Sequence, residues 1–75
     1  MTEDKKIQEF IEALEQSKIK HGNAPFHSIH EALGVCHEEL YEVTMEAHAG
    51  NKRKAAQELL DLSIAGFWGY RSFSK

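Results

Sequence analysis

One cysteine, one proline and no long apolar run leave this 75-residue sequence few structural options. A lone Cys36 excludes a disulfide within the chain, and with no secretory signal it points to a reducing, cytoplasmic setting. No apolar segment nears the roughly 20 residues that a membrane helix needs, so no membrane partner is expected. The net charge of -3 argues against a nucleic acid polymer as partner, although the basic stretch Asn51–Lys54 survives within the acidic average. A single Pro25 and sparse β-branched residues point to helices throughout. The length allows one domain, 1–75, and a domain this small leans on a metal or on self-association.

What is present is helical periodicity. Residues 3–20 read as an amphipathic helix with Ile7, Phe10, Ile11 and Leu14 on one face. Gly22, Asn23 and Pro25 break that pattern. A second helix is predicted from the capping box of Ser28 and Glu31. Its apolar stripe runs Ile29, Leu33, Cys36, Leu40, Val43, Ala47 and stops at Gly50. Gly34 costs about 1 kcal/mol of helix propensity, too little to end it. The third helix is predicted from about Lys52 to Phe73, with apolar residues around more than half its circumference. The expected fold is an all-α antiparallel bundle of about three helices per chain. The excess apolar surface on the third helix calls for oligomerisation to complete it.

The acids are placed unusually. At about 100° per residue, Glu39, Glu42 and Glu46 fall within about 60° of one another, beside the apolar stripe. Glu58 and Asp61 form an i, i+3 pair beside Leu59 and Leu62. A short turn makes the two helices antiparallel, so Glu39/Glu42 and Glu58/Asp61 can converge. Four carboxylates at the edge of a core repel unless something neutralises them, and a hard divalent cation does so economically. Magnesium fits best, because it accepts a few carboxylates and keeps waters for a phosphate-bearing substrate. An ordinary solvated acidic face is the bland alternative for Glu38–Glu42 alone. Asp61 weighs against it, since aspartate is a poor mid-helix residue.

The pattern Glu38-Glu39-x-x-Glu42, fifteen intervening positions, then Glu58-x-x-Asp61 resembles the signature of the MazG-like all-α nucleotide pyrophosphohydrolases. The upstream stretch from Ala24 to Leu40 resembles a phage and bacterial subgroup of that superfamily, and the likeness covers about residues 21–70. It implies magnesium-dependent hydrolysis of a nucleoside triphosphate to the monophosphate and pyrophosphate, a nucleotide-pool house-cleaning activity, with manganese as a substitute metal. Position by position, it makes Glu39, Glu42, Glu58 and Asp61 the metal ligands, and gives Glu38 an assisting role toward metal or water. Glu38 or Glu46 would orient the water or take its proton. Fuller members carry more helix beyond the second acidic pair, whereas this sequence runs 14 residues past Asp61. A neighbouring subunit, in a dimer or tetramer, is therefore expected to complete the pocket.

Lys54, one turn before Glu58, is a candidate triphosphate contact, or else an ordinary i, i+4 partner of Glu58. Five histidines raise the question of zinc. His30 and His37 lie roughly 10 Å apart along a helix. His27 and His30 are closer, but no Cys pair or second His pair completes a tetrahedral site. His27 and His30 are better read as lining the nucleotide site or a subunit contact. Phe26 and Trp68 are candidates to stack on a base, with packing as the competing role. Two other readings stay open: a non-catalytic helical module binding nucleotide or protein, and a structural oligomer whose acids are surface decoration.

Overall fold

The computed structural model describes residues 2–74. Three helices account for nearly all of them: α1 (Thr2–His21), α2 (Ile29–His48) and α3 (Lys52–Phe73). No strand occurs among the described residues. The boundaries follow from local chemistry. α1 ends where Gly22 takes φ 83° and its N–H reaches the Lys18 carbonyl at 2.8 Å. That left-handed turn suits glycine, which has no Cβ to clash.

α2 starts on the predicted capping box. Ser28 Oγ accepts from the Glu31 N–H at 3.0 Å, and Glu31 Oε1 accepts from the His27 N–H at 2.6 Å. Such a cap is worth about 1 kcal/mol. Gly50, at φ 76°, ends the turn after α2, and Asn51 Oδ1 caps α3 by accepting from the Lys54 N–H at 3.1 Å. Gly34 is accommodated inside α2 without a break.

α2 and α3 form an antiparallel hairpin, and among the described residues α1 packs on α3 and not on α2. The α1 contact centres on Phe10 and Phe67, edge to face with centroids 5.9 Å apart. Such a pair contributes about 0.5–1.5 kcal/mol beyond area burial. Among the described residues, the buried hydrophobic core is Leu14, Ala32, Ile64 and Ala65.

The expected α2 stripe holds only in part: Cys36 and Val43 are half-buried, whereas Ile29, Leu33 and Leu40 are about half exposed and Ala47 is exposed. The inward row of α2 is instead Ala32, Val35, Cys36, Glu39, Val43 and Glu46, all buried or half-buried. Small residues decide this choice of face. A Cβ on Gly69 would sit 3.4 Å from Ala32 Cβ and 3.9 Å from Phe26, so the two helices meet at their smallest side chains. Close approach there turns the acids into the seam and the large aliphatic residues outward.

Candidate functional site

The seam between α2 and α3 carries the acids. Glu39, Glu58 and Asp61 each place a carboxylate oxygen within 4.8 Å of the others, although they come from two helices. The sequence spacing explains the meeting. Residues 32, 35, 39, 43 and 46 line one side of the antiparallel seam, and 55, 58, 62, 65 and 69 line the other. Glu39 and Glu58 are thereby half-buried against like charge. Glu39 Oε1 and Glu58 Oε1 are both shielded from solvent with no hydrogen-bond donor. Asp61 has one donor, the Gln57 side-chain amide at 3.3 Å.

The electrostatics follow from this crowding. Partial burial is the first cause raising Glu39 above the ordinary carboxylate range, followed by the charges of Glu42, Asp61 and Glu38. Glu58 is pushed up to about 7. Its first cause is a carboxyl–carboxyl hydrogen bond with Glu42, which forms only when one of the pair holds a proton. Partial burial and the charges of Glu42 and Asp61 follow. A shared proton and a bound cation are alternative answers to the same repulsion. The donor set fits a hard cation, being all oxygen and anionic, with two shielded oxygens lacking any donor.

Glu39 and Asp61 open into a groove of about 880 Å³ between α1, the 22–28 loop and the hairpin. Phe26, His27 and Trp68 line the same groove, as do Lys20, His21 and Gln57. This groove is large enough for a nucleotide-sized ligand. Of the sequence candidates, Glu39, Glu58 and Asp61 converge directly. Glu42 acts on both Glu39 and Glu58, while Glu38 is exposed and bears on Glu39 through its charge. His27 and Trp68 share the groove. His30 does not: it lines a separate groove on the opposite face of the hairpin. Lys54 is exposed, outside the groove lining, and makes no ion pair with Glu58; among the described residues the ion pairs are Lys6–Glu9 and Lys18–Glu15.

Trp68 has a structural duty as well. Its indole N–H donates to the Ala24 carbonyl at 3.0 Å, and the Arg71 guanidinium lies 4.9 Å from its ring centroid. One helical turn on, Ser72 Oγ accepts from the Phe26 N–H at 3.0 Å and donates to the Trp68 carbonyl at 2.8 Å. These bonds clasp the 22–28 loop onto α3 and hold Phe26 and His27 at the groove. Sequence reasoning missed Ser72, Gln57, Lys20 and His21 in these roles. Polar residues on an exposed-looking face give no periodic signal that could have singled them out. No known protein family, curated protein or solved structure matches this chain.

Proposed function

We propose that this protein hydrolyses a nucleoside triphosphate to the monophosphate and pyrophosphate with magnesium, as a homo-oligomer of the MazG-like kind in the cytoplasm. The observation that carries the reading is the convergence of Glu39, Glu58 and Asp61 within 4.8 Å, with two carboxylate oxygens shielded and donorless, beside a nucleotide-sized groove. In this reading Glu39, Glu58 and Asp61 hold the cation, with Glu42 completing the set. The cation supplies charge neutralisation for the phosphates, which is most of what phosphoryl chemistry needs.

The chain's own residues do the remainder. Carboxylate oxygens of Glu39 or Glu38 that are not occupied by metal orient the attacking water and take its proton. Gln57 holds the Asp61 carboxylate in place through its amide. The clasped loop presents Phe26 and His27 to the base or sugar, and Lys20 and His21 at the groove add positive charge for phosphate. Lys54 is left as a steering charge near the turn, and His30 belongs to the other face.

The test is a panel of nucleoside triphosphates with magnesium, reading pyrophosphate and monophosphate together. Equal amounts of both products, lost on adding a chelator, are expected. Nucleotide binding without turnover at saturating magnesium or manganese would replace hydrolysis by a non-catalytic binding module.

A further inference from the structure

The groove beside the acidic seam has two ends, and a second carboxylate stands at the end away from the cluster. Glu31, Val35 and Glu39 follow one another at four-residue steps along α2, and all three line the groove. Ile64, Trp68 and Asp61 line it from α3. The register of the two helices is set in two places: Ala32 meets Gly69, and Glu39 meets Asp61. Glu31 and Trp68 therefore share one end of the groove, Glu39 and Asp61 the other, with the apolar Val35 and Ile64 between them. From Glu31 to Glu39 the helix rises about 12 Å.

We infer that Glu31 reads the base of the bound nucleotide, selecting bases with an exocyclic amino group, cytosine or adenine, over their oxo counterparts uracil and hypoxanthine. This rests on the nucleotide reading of the groove proposed above. The Glu31 carboxylate is held in place, because its Oε1 accepts from the His27 N–H at 2.6 Å in the capping box that starts α2. Among the described residues no other hydrogen bond and no ion pair reaches it, so a residue lining the groove keeps acceptor capacity to spare. That charge repels phosphate and suits a neutral base that offers an amino proton; a glutamate accepting from the cytosine amino group is a recurrent pairing. The phosphates are thereby directed to the Glu39 and Asp61 end, where the cation belongs, and the sugar spans the apolar middle.

Trp68 supplies the platform at the same end. Its indole N–H is bonded to the Ala24 carbonyl, and Arg71, which does not line the groove, lies 4.9 Å from the ring centroid. The ring is fixed in advance, so little ordering is left for a base that stacks on it. Stacking accepts any base; the hydrogen bond to Glu31 does not. Uracil and hypoxanthine carry a carbonyl oxygen where cytosine and adenine carry the amino group. Two acceptors then face each other with no proton between them, and the carboxylate loses its partner. The uracil N3–H lies between two carbonyls, so a carboxylate that reaches it meets the same repulsion.

Isothermal titration calorimetry with the α,β-methylene analogues of CTP and UTP, in the presence of magnesium, tests the assignment without turnover, since the bond cut in the proposed reaction is replaced. The CTP analogue should bind at least ~10-fold more tightly than the UTP analogue, the range of a hydrogen bond to a charged group. Glu31→Gln keeps the capping box, because glutamine accepts from the His27 N–H as glutamate does, so helical circular dichroism is retained. Its amide offers an N–H where the carboxylate offered an acceptor, and the preference should vanish or reverse. Equal binding of the two analogues, or a preference for the UTP analogue, overturns the inference and leaves nucleotide binding standing. A preference for the CTP analogue that survives Glu31→Gln overturns it as well, by assigning the choice to another residue. Binding of neither analogue removes the nucleotide from the groove, and the hydrolysis reading falls with this one.

Discussion

The two faces of the α2–α3 hairpin differ in what they leave unsatisfied. One face opens into the groove with Glu39 and Asp61, beside carboxylate oxygens that have no donor. The other carries Leu33, Tyr70 and Phe73 over a glycine floor and no formal charge. Both conditions have one cause. Ala32 and Gly69 meet across the helix pair, where a Cβ on Gly69 would lie 3.4 Å from Ala32 Cβ, and this approach turns the acids into the seam and the large aliphatic side chains out of it. A helix pair joined through larger residues would have turned the apolar stripe inward and left the acids on an ordinary solvated face. One face thus gathers carboxylates that repel one another, and the other presents apolar side chains to solvent.

That contrast is broken most severely by removing a carboxylate. Glu39→Gln or Asp61→Asn should lower magnesium-dependent pyrophosphate release at least ~100-fold, more than loss of a ligand's supporting partner costs. Turnover surviving either change would remove the acidic cluster from the active site.

Metal and pH sharpen the contrast next. At a magnesium concentration a hundred times its dissociation constant, linkage adds about 2.7 kcal/mol of stability. For a domain of this size the melting temperature then rises by roughly 10 °C or more, reversibly with chelator. Without metal, the sign with pH is opposite to that of a salt-bridged carboxylate. Glu58 holds its proton more tightly in the folded chain, at about 7 against an ordinary 4.5, and Glu39 shifts the same way. The folded state therefore binds more protons, and stability falls as pH rises between those values. Glu58→Gln should flatten this decline when unfolding is followed at several pH values without metal. A metal-free chain that instead gains stability over that interval would contradict the crowded seam.

The smallest effect concerns the loop. Ser72→Ala leaves the Phe26 N–H without its acceptor and should cost about 1 kcal/mol, with a melting point lower by several degrees. Faster amide exchange confined to residues 22–28 is the accompanying signature. An unchanged exchange pattern there would mean that the clasp does not hold the loop.

Much of the fold was legible beforehand, because its signals are local. Ser28 and Glu31 announced the start of α2, Gly50 its end, and the run from Lys52 to Phe73 its successor. The convergence of Glu39 with Glu58 and Asp61 was legible too, since a short turn and the helical period together force it. The facing direction of α2 was not. A wheel ranks faces by hydrophobicity, and by that measure Ile29, Leu33 and Leu40 outweigh Ala32 and Val35. Packing distance ranks them differently. The role of Trp68 was half visible: its aromatic ring suggested stacking, while its bond to Ala24 depends on a loop folding back across forty-four positions.

By itself, then, the sequence determined three helices, their ends and the pairing of the two acidic clusters, because caps, turns and helical period act over a few residues. Only the tertiary structure decided which side of the hairpin holds the acids and which is left apolar. That choice belongs to the contact between Ala32 and Gly69, residues far apart in the chain, where the helices can approach only if neither has a large side chain.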